Sequence, residues 1–343
     1  MTMDLQLTPL ENSDKQGSNP PQRVLIAIGG NALYDKHSGV LVDSRVLQIL
    51  ARDLVAIIQA GYSPVITFGN GPQVGQLLDM AETSVRMFAR PVTLDTCVAW
   101  TQGEIGYKLL NILQSEIWQA GLPHTVLSVQ TSVVVNPEDP AFQNPTKPIG
   151  RFITPEEADQ LYVERGWIIG PDSNRGYRRM VPSPKPQRIL ELAALTPLIQ
   201  DPHVIPLCGG GGGVPVFIDD AGIHPVEAVV DKDYTSCVLA KSLNIANLLI
   251  CTEVDAVYLH YGKPEQVALR TVSLAEAEEY MAQGHFSAGS MGPKVAALLD
   301  YLRSSDNDTI TAVKRAPIKR AMIGSVETML QTLLGKAGTA FCT

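Results

Sequence analysis

Three lysines in this 343-residue chain sit where the local sequence would hold an ammonium group in place rather than leave it in water. Lys232 lies between Asp231 and Asp233, after the apolar run Val226, Ala228, Val229 and Val230 and before YTSCVLAKSLN (234–244), which reads as a helix. Carboxylates are favoured at a helix N-terminus, so the pattern predicts a fixed cation at the junction of a buried segment and a helix. Lys294 follows GHFSAGSMGP, with Pro293 opening an amphipathic helix carried by Val295, Leu298, Leu299 and Leu302. A lysine at a glycine-rich helix start follows the logic of a phosphate-binding loop, although the P-loop pattern itself is absent. Lys147 stands in TKPIG, its flanks fixed by Thr146 and Pro148. Taken singly, each motif is equally a capped helix or a surface lysine, and exposed Lys–Asp pairs are nearly neutral in energy.

Glycine loops accompany these lysines. RVLIAIGGNAL (23–33) is an apolar run into Gly29, Gly30 and Asn31, the way a strand buried on both faces of a parallel sheet ends at a ligand crevice. It is not GxGxxG, so a dinucleotide fingerprint is not supported, and the glycine pair also suits a plain tight turn. SPVITF repeats the arrangement, running into Gly69, Asn70, Gly71 and Pro72 before a helix from Gln73. Two such loops can present backbone N–H groups to one anion. A third loop, Gly209 to Gly213, lies just upstream of Lys232.

The elements that must position these groups follow an α/β rhythm. Residues 42–60 show helical periodicity, 94–121 read as one long helix in which Gly103 and Gly106 allow close packing, and 125–135 read as one β-branched strand. Residues 136–186 then hold nine of the chain's 24 prolines, and within 147–188 basic residues outnumber acidic ones eight to five. That shift predicts an inserted lid in which most of Arg151, Arg175, Arg178, Arg179 and Lys185 face solvent while Lys147 does not. The rhythm resumes with a helix over 189–200, a strand over 203–208, and a buried strand in LLICTEVDAVYLHYGKP. A surface excursion over 306–319, the strand AMIGS and a last short helix complete the domain, 23–343. Residues 1–22 are expected to be a disordered tail, since they lack both an apolar signal core and presequence arginines.

A net charge of −8 argues against non-specific binding to nucleic acid or anionic membrane. Any anionic ligand must therefore be held by a few placed cations. Five widely spaced cysteines without a CxxC pair indicate neither a disulfide framework nor a zinc site. No apolar run approaches the ~20 residues of a membrane span. A cytoplasmic location is expected, and no residues are assigned to a metal.

The ordered set IAIGGNAL, FGNGPQVG, LDTCVAWTQGEIGY, NPTKPIGRF, RGYRRMVPSPKP, CGGGGGVPV, VEAVVDKD, YGKP and GHFSAGSMGPK closely resembles the carbamate kinase family, from about Arg23 to the C-terminus. The resemblance implies the amino-acid-kinase fold, an αβα sandwich with a mostly parallel central sheet and an inserted lid, in a homodimer. It implies phosphoryl transfer between ATP and carbamate, giving carbamoyl phosphate and ADP, with Mg²⁺ carried on the nucleotide. By the same resemblance Lys232 and Lys294 would neutralise the phosphates, Asp233 would orient both, and Lys147 would reach in from the lid. Gly29, Gly30, Asn31, Gly69, Asn70 and Gly71 would cradle carbamate and the phosphoryl group; Gly210, Gly211, Thr252, Glu253, Tyr258 and Met291 would border the nucleotide. Another acylphosphate-forming kinase of this fold, or a nucleotide-binding regulator without turnover, are the competing readings. The sequence departs from the family pattern at Phe68 (usually histidine), Val214 (isoleucine) and Gly324 (threonine), in a glycine run one residue longer, and in a longer segment around 309–319.

Overall fold

Five apolar residues in a row, VLIAI (24–28), all buried, make a strand that only a two-sided interior can accommodate, and the fold is built around it. The computed structural model describes residues 21–33, 44–83, 92–172, 176–287, 289–303 and 319–342. Gln22–Ile28 lies in the middle of an eight-stranded sheet. Its neighbours are Asn247–Thr252 on one side and Tyr62–Phe68 on the other, both parallel, with Val24 opposite Asn247 and Ile28 opposite Phe68. Beyond Tyr62–Phe68 come Val204–Leu207 and the edge strand Thr125–Ser128. Beyond Asn247–Thr252 come Arg320–Ser325, then Thr339–Cys342, which runs antiparallel to it, and Thr271–Ser273.

Helices cover both faces. Ser44–Gln59 and Leu94–Gln119 bury Leu47, Leu54, Ile105 and Leu113 on one side; Lys232–Ser242 and Met291–Arg303 bury Leu239, Val295, Leu298 and Tyr301 on the other. Because the central strands are parallel, their C-terminal ends emerge at one edge of the sheet. Gly29, Gly69 and Glu253 therefore meet in one crevice, as expected for an open α/β sheet.

The proline-rich segment forms its own small layer. Lys147–Ile153, Tyr177–Val181 and Ile168–Pro171 make an antiparallel three-stranded sheet, with the helix Pro155–Arg165 held by a capping box between Thr154 and Glu157. That helix buries no residue against the body. The lid leaves through Pro182, whose carbonyl accepts from the Val229 amide at 3.0 Å, so its exit is tied to the segment that leads into Lys232.

Several expectations change. The strand expected over 125–135 is two, Thr125–Ser128 in the main sheet and Ser132–Val135 in a second sheet with Val214–Asp219 and Pro186–Ile189. The break falls at Thr131, whose backbone exchanges hydrogen bonds with the Gln102 side chain at 2.9 Å and whose hydroxyl accepts from Gly209 N, also at 2.9 Å. Those polar groups hold the chain out of the main ladder and anchor the glycine loop. The helix expected over 189–200 is only Leu192–Leu198, since Pro186–Ile189 pairs as a strand; the last short helix is present as Met329–Leu333, and an unexpected strand, Thr339–Cys342, follows it. Gly106 does serve close packing, as a Cβ there would lie 2.3 Å from Ser128 Oγ, whereas Gly103 faces open space. Arg178 and Arg179 are not solvent-facing: Arg178 donates to Asp172 at 3.0 Å, and Arg179 lies 4.5 Å over the Trp167 ring. Gln22, expected in the tail, begins the first strand, and the readings for 1–20 and 306–318 lie outside the described residues.

Candidate active site

The helix that carries Lys232 begins because Asp231, in extended conformation, accepts the Asp233 amide at 2.9 Å through Oδ1. This N-cap satisfies one of the helix's unpaired donors and aims the first turn at the crevice. Asp233, in that first turn, is 2% exposed. Its Oδ1 accepts from the Lys232 ammonium and its Oδ2 from the Lys294 ammonium at 2.9 Å, so one buried carboxylate holds two cations. Burial alone would raise the Asp233 carboxyl, but Lys232 and Lys294 outweigh it and hold the group well below the usual carboxylate range. Burial lowers the Lys294 ammonium less than Asp233, with Asp231 and Glu253 nearby, raises it, so that it stays charged.

The helix is also locked to the sheet. Ser236 Oγ donates to the Lys232 carbonyl at 2.6 Å and lies 2.7 Å from the Thr67 hydroxyl on the adjacent strand. Thr235 Oγ1 donates to Gly212 O at 2.7 Å, tying the glycine run to the same turn. At Gly212, with φ +88°, a Cβ would fall 2.1 Å from the Val230 carbonyl oxygen, and at Gly211 a Cβ would fall 2.2 Å from Asn70 Nδ2. The five-glycine run is thus packed tight between Asn70 and the Lys232 turn.

Across the crevice the first two glycine loops touch. A Cβ on Gly69 would lie 2.7 Å from Gly30 N and 3.2 Å from the Lys232 side chain. Only bare backbone allows this approach, and it brings two loops of N–H groups up to the Lys232 side chain. Asn70 is 3% exposed and donates through Nδ2 to Thr101 Oγ1 at 2.7 Å, which fixes the second loop on the long helix. The fourth wall comes from the lid: Lys147 Nζ lies 2.8 Å from Asp231 Oδ2.

These groups line one cavity of about 920 Å³. Lys147, Lys232, Asp233 and Lys294 line it together with Gly29, Gly30, Gly69, Asn70, Gly71, Gly211, Thr252, Glu253, Tyr258 and Met291. Gly210 does not line it; that residue packs behind the wall, where a Cβ would meet the Phe68 ring at 2.6 Å. Asn31 belongs to the turn Gly30–Leu33, and its side chain lies outside the described residues. Phe68, the departure from histidine, is 2% exposed and supports the glycine run from beneath. At Gly324, the place of the usual threonine is taken by Thr332, whose Oγ1 lies 2.5 Å from where a Cβ would be.

Four lysines, three carboxylates and the rings of Tyr258, Tyr261 and Phe286 share this cavity, a lining that suits a nucleotide plus a small anion. The amino acid kinase family model matches residues 22–312. The chain is 41% identical to carbamate kinase 2 of Enterococcus faecalis over 315 residues, covering 92% of this chain and 97% of that one. The chain belongs to the amino acid kinase family, within its carbamate kinase branch. A carbamate kinase of Pyrococcus furiosus is 40% identical over 93% of this chain and 98% of its own. Among solved structures, the carbamate kinase of Giardia lamblia bound to AMP-PNP superposes with a TM-score of 0.81 at 35% identity, covering 94% of this chain and 98% of that one.

Sequence reasoning missed part of this family member's cavity. Asp231 was read as a helix cap alone, yet it lines the cavity and holds Lys147. An aromatic and imidazole wall, His260, Tyr261, His285 and Phe286, also borders it, with His260 and His285 edge to face at 4.6 Å. The available signal was YLHYGK, where rings and a lysine follow a short strand. Cys251 is another wall residue; burial pushes its thiol up to about 12, so it is neutral and inert.

Proposed function

We infer that the chain catalyses reversible phosphoryl transfer between ATP and carbamate, giving carbamoyl phosphate and ADP. The observation that supports this most is the pair of ammonium groups held on one buried carboxylate, Lys232 and Lys294 on Asp233, at the meeting point of three glycine loops. A transferring phosphoryl group passes through a loose transition state with charge on its equatorial oxygens, so fixed cations and N–H groups supply most of what catalysis requires. In this reading Lys232 and Lys294 neutralise that charge, Asp233 keeps their separation constant, and Lys147 meets the small anion from the lid. In this reading the loops at Gly29 to Gly30 and Gly69 to Gly71 take the small planar carbamate. Thr252, Glu253, Tyr258 and Met291 border the nucleotide. Carbamate and its phosphate decompose in water, which gives a closing lid a second use.

Mg²⁺ is implied by nucleotide chemistry, and the residues present fit an ion that arrives on ATP. Among the described residues no group of three His, Cys, Asp or Glu side chains can hold a metal, and Asp231 and Asp233 are engaged by lysines. Phosphate oxygens and water would be its ligands, and it would share the phosphate charge with the lysines. A homodimer is part of the same reading. Trp100, Tyr107 and Trp118 are 46%, 67% and 55% exposed on one face of the long helix beside the edge strand Thr125–Ser128. Sedimentation of the purified chain at twice the monomer mass supports that pairing, and a monomer would refute it. Among the described residues no helix is long and apolar enough to cross a membrane, and a cytoplasmic location is proposed with the function.

The test is direct. With ADP, Mg²⁺ and carbamoyl phosphate the protein should form ATP, and acetyl phosphate should serve poorly, because a site that hydrogen-bonds the carbamoyl NH₂ rejects an analogue lacking it. Activity with another acyl phosphate alone would assign a different acceptor; nucleotide binding without any turnover would assign a regulator.

A further inference from the structure

We propose that Asp231 is the positioning residue for Lys147, as Asp233 is for Lys232 and Lys294, so that two aspartates two residues apart set three of the four lysines that line the cavity. The inference rests on the kinase reading above and deepens it. Asp231 uses its two oxygens for different tasks. Oδ1 accepts the Asp233 amide at 2.9 Å and so starts the helix; Oδ2 accepts the Lys147 ammonium at 2.8 Å. The first task is local, between residues two apart. The second joins a lid strand to the catalytic helix across 84 positions of sequence.

The lid needs such a tie. Lys147 is the first residue of the lid's entering strand, paired with Val181 at the root of the exiting one. Its side chain is 37% exposed, against 10% for Lys232 and 18% for Lys294. A lysine stem that free samples many rotamers, and holding it costs conformational entropy at each turnover unless something fixes it beforehand. An ammonium has three donors, and Asp231 takes one, leaving the others for a ligand in the cavity. Asp231 thus orients Lys147 without consuming its capacity to bind. Because Asp231 also accepts the Asp233 amide, the lid lysine is referenced to the same helix turn as the two buried lysines whenever its contact with Asp231 is made.

The helix cap and the lysine contact are separable by chemistry. Asparagine caps a helix about as well as aspartate, but its neutral side chain holds an ammonium far less firmly. Asp231→Asn should therefore keep the melting temperature of the parent while lowering kcat about five-fold, with KM for ADP unchanged. In a Lys147→Met background the same substitution should have no further effect on kcat, since the group it positions is gone. Wild-type kcat in Asp231→Asn would overturn the proposal, as would a five-fold loss that persists in the Lys147→Met background, which would route the effect through the helix instead. A lowered KM for carbamoyl phosphate in Asp231→Asn would also overturn it, by making Asp231 a competitor for Lys147 and not its support. All variants are read against the unmodified protein with carbamoyl phosphate and ADP. If that protein forms no ATP, the kinase reading fails; if it turns over and only the Asp231 pattern is missing, this inference alone fails.

Discussion

The two places where a lysine meets an aspartate in this cavity are built differently. Asp233 is buried and holds Lys232 and Lys294 from two secondary-structure elements of the main body, with the Ser236, Thr67 and Thr235 hydroxyls fixing the turn beneath them. Asp231 and Lys147 form a single, more exposed pair between the body and a lid whose helix buries nothing against it. The buried cluster resembles a fixed instrument, carrying charge in a place where water contributes little screening. The exposed pair joins the body to the proline-rich layer, and its charge is shared with solvent. Phosphoryl transfer needs both kinds: cations that do not reorganise during the reaction, and one that can withdraw so that substrates enter and products leave.

The contrast is broken most strongly at the buried cluster. Lys232→Met or Lys294→Met should lower turnover by at least ~10²-fold, the scale for losing one preorganised donor, with circular dichroism and melting temperature checked to confirm the fold. Near-normal turnover in either variant would remove that lysine from the reaction. Lys147→Met should cost less, about 30-fold, because the site it leaves remains preorganised. An equal or greater loss at Lys147 would erase the distinction drawn between the two regions.

Motion gives a third test. Hydrogen exchange across residues 148–171 and 176–182 should slow when ADP and a carbamoyl phosphate analogue are both bound, while exchange in the Lys232–Ser242 helix should hardly change. Equal protection of the lid with and without ligands would mean that it is a fixed layer.

How far all this was legible in the residues follows from range. The glycine loops, the strands that end in them and the helix starts at Lys232 and Lys294 are written in contiguous residues, since apolar runs, caps and glycines act on their neighbours. The second role of Asp231 depends on a partner 84 positions away, and no local pattern distinguishes a capping carboxylate from one that also receives a lysine. The split of 125–135 into two strands hangs on Thr131 meeting Gln102 and Gly209, again a distant polar contact that overrides an unbroken β-branched run. Phe68 is the reverse case: beside a glycine loop it looks like a site residue, and burial makes it a support.

Acid stability sharpens the same comparison with a smaller effect. Asp233 has its carboxyl pKa depressed in the folded protein, so its contribution is present above the unfolded value near 4 and is lost as pH falls below that toward the folded value. At the opposite end of the sheet His124 acts in the same direction, over a higher pH range. Burial first, then His203, lowers it from 6.5 to about 4, and its Nδ1 is buried without a partner. The unfolded chain therefore binds a proton that the folded one resists, so stability declines as pH falls from about 6.5 to about 4. Urea midpoints at pH 7 and pH 5 should differ less in His124→Gln than in the parent, with turnover at pH 7 unchanged. A parent-like pH dependence in that variant would place the slope elsewhere.

The central claim is that the buried lysines act on the group in transit and not on nucleotide affinity. It is tested most directly by measuring, in Lys232→Met, both the dissociation constant for ADP by calorimetry and the single-turnover rate of ATP formation from carbamoyl phosphate. The account predicts an ADP affinity within about three-fold of the parent and a single-turnover rate at least ~10²-fold lower. A loss of affinity that matches the loss of rate would contradict it, and would make Lys232 a binding residue whose contribution is the same before and during transfer.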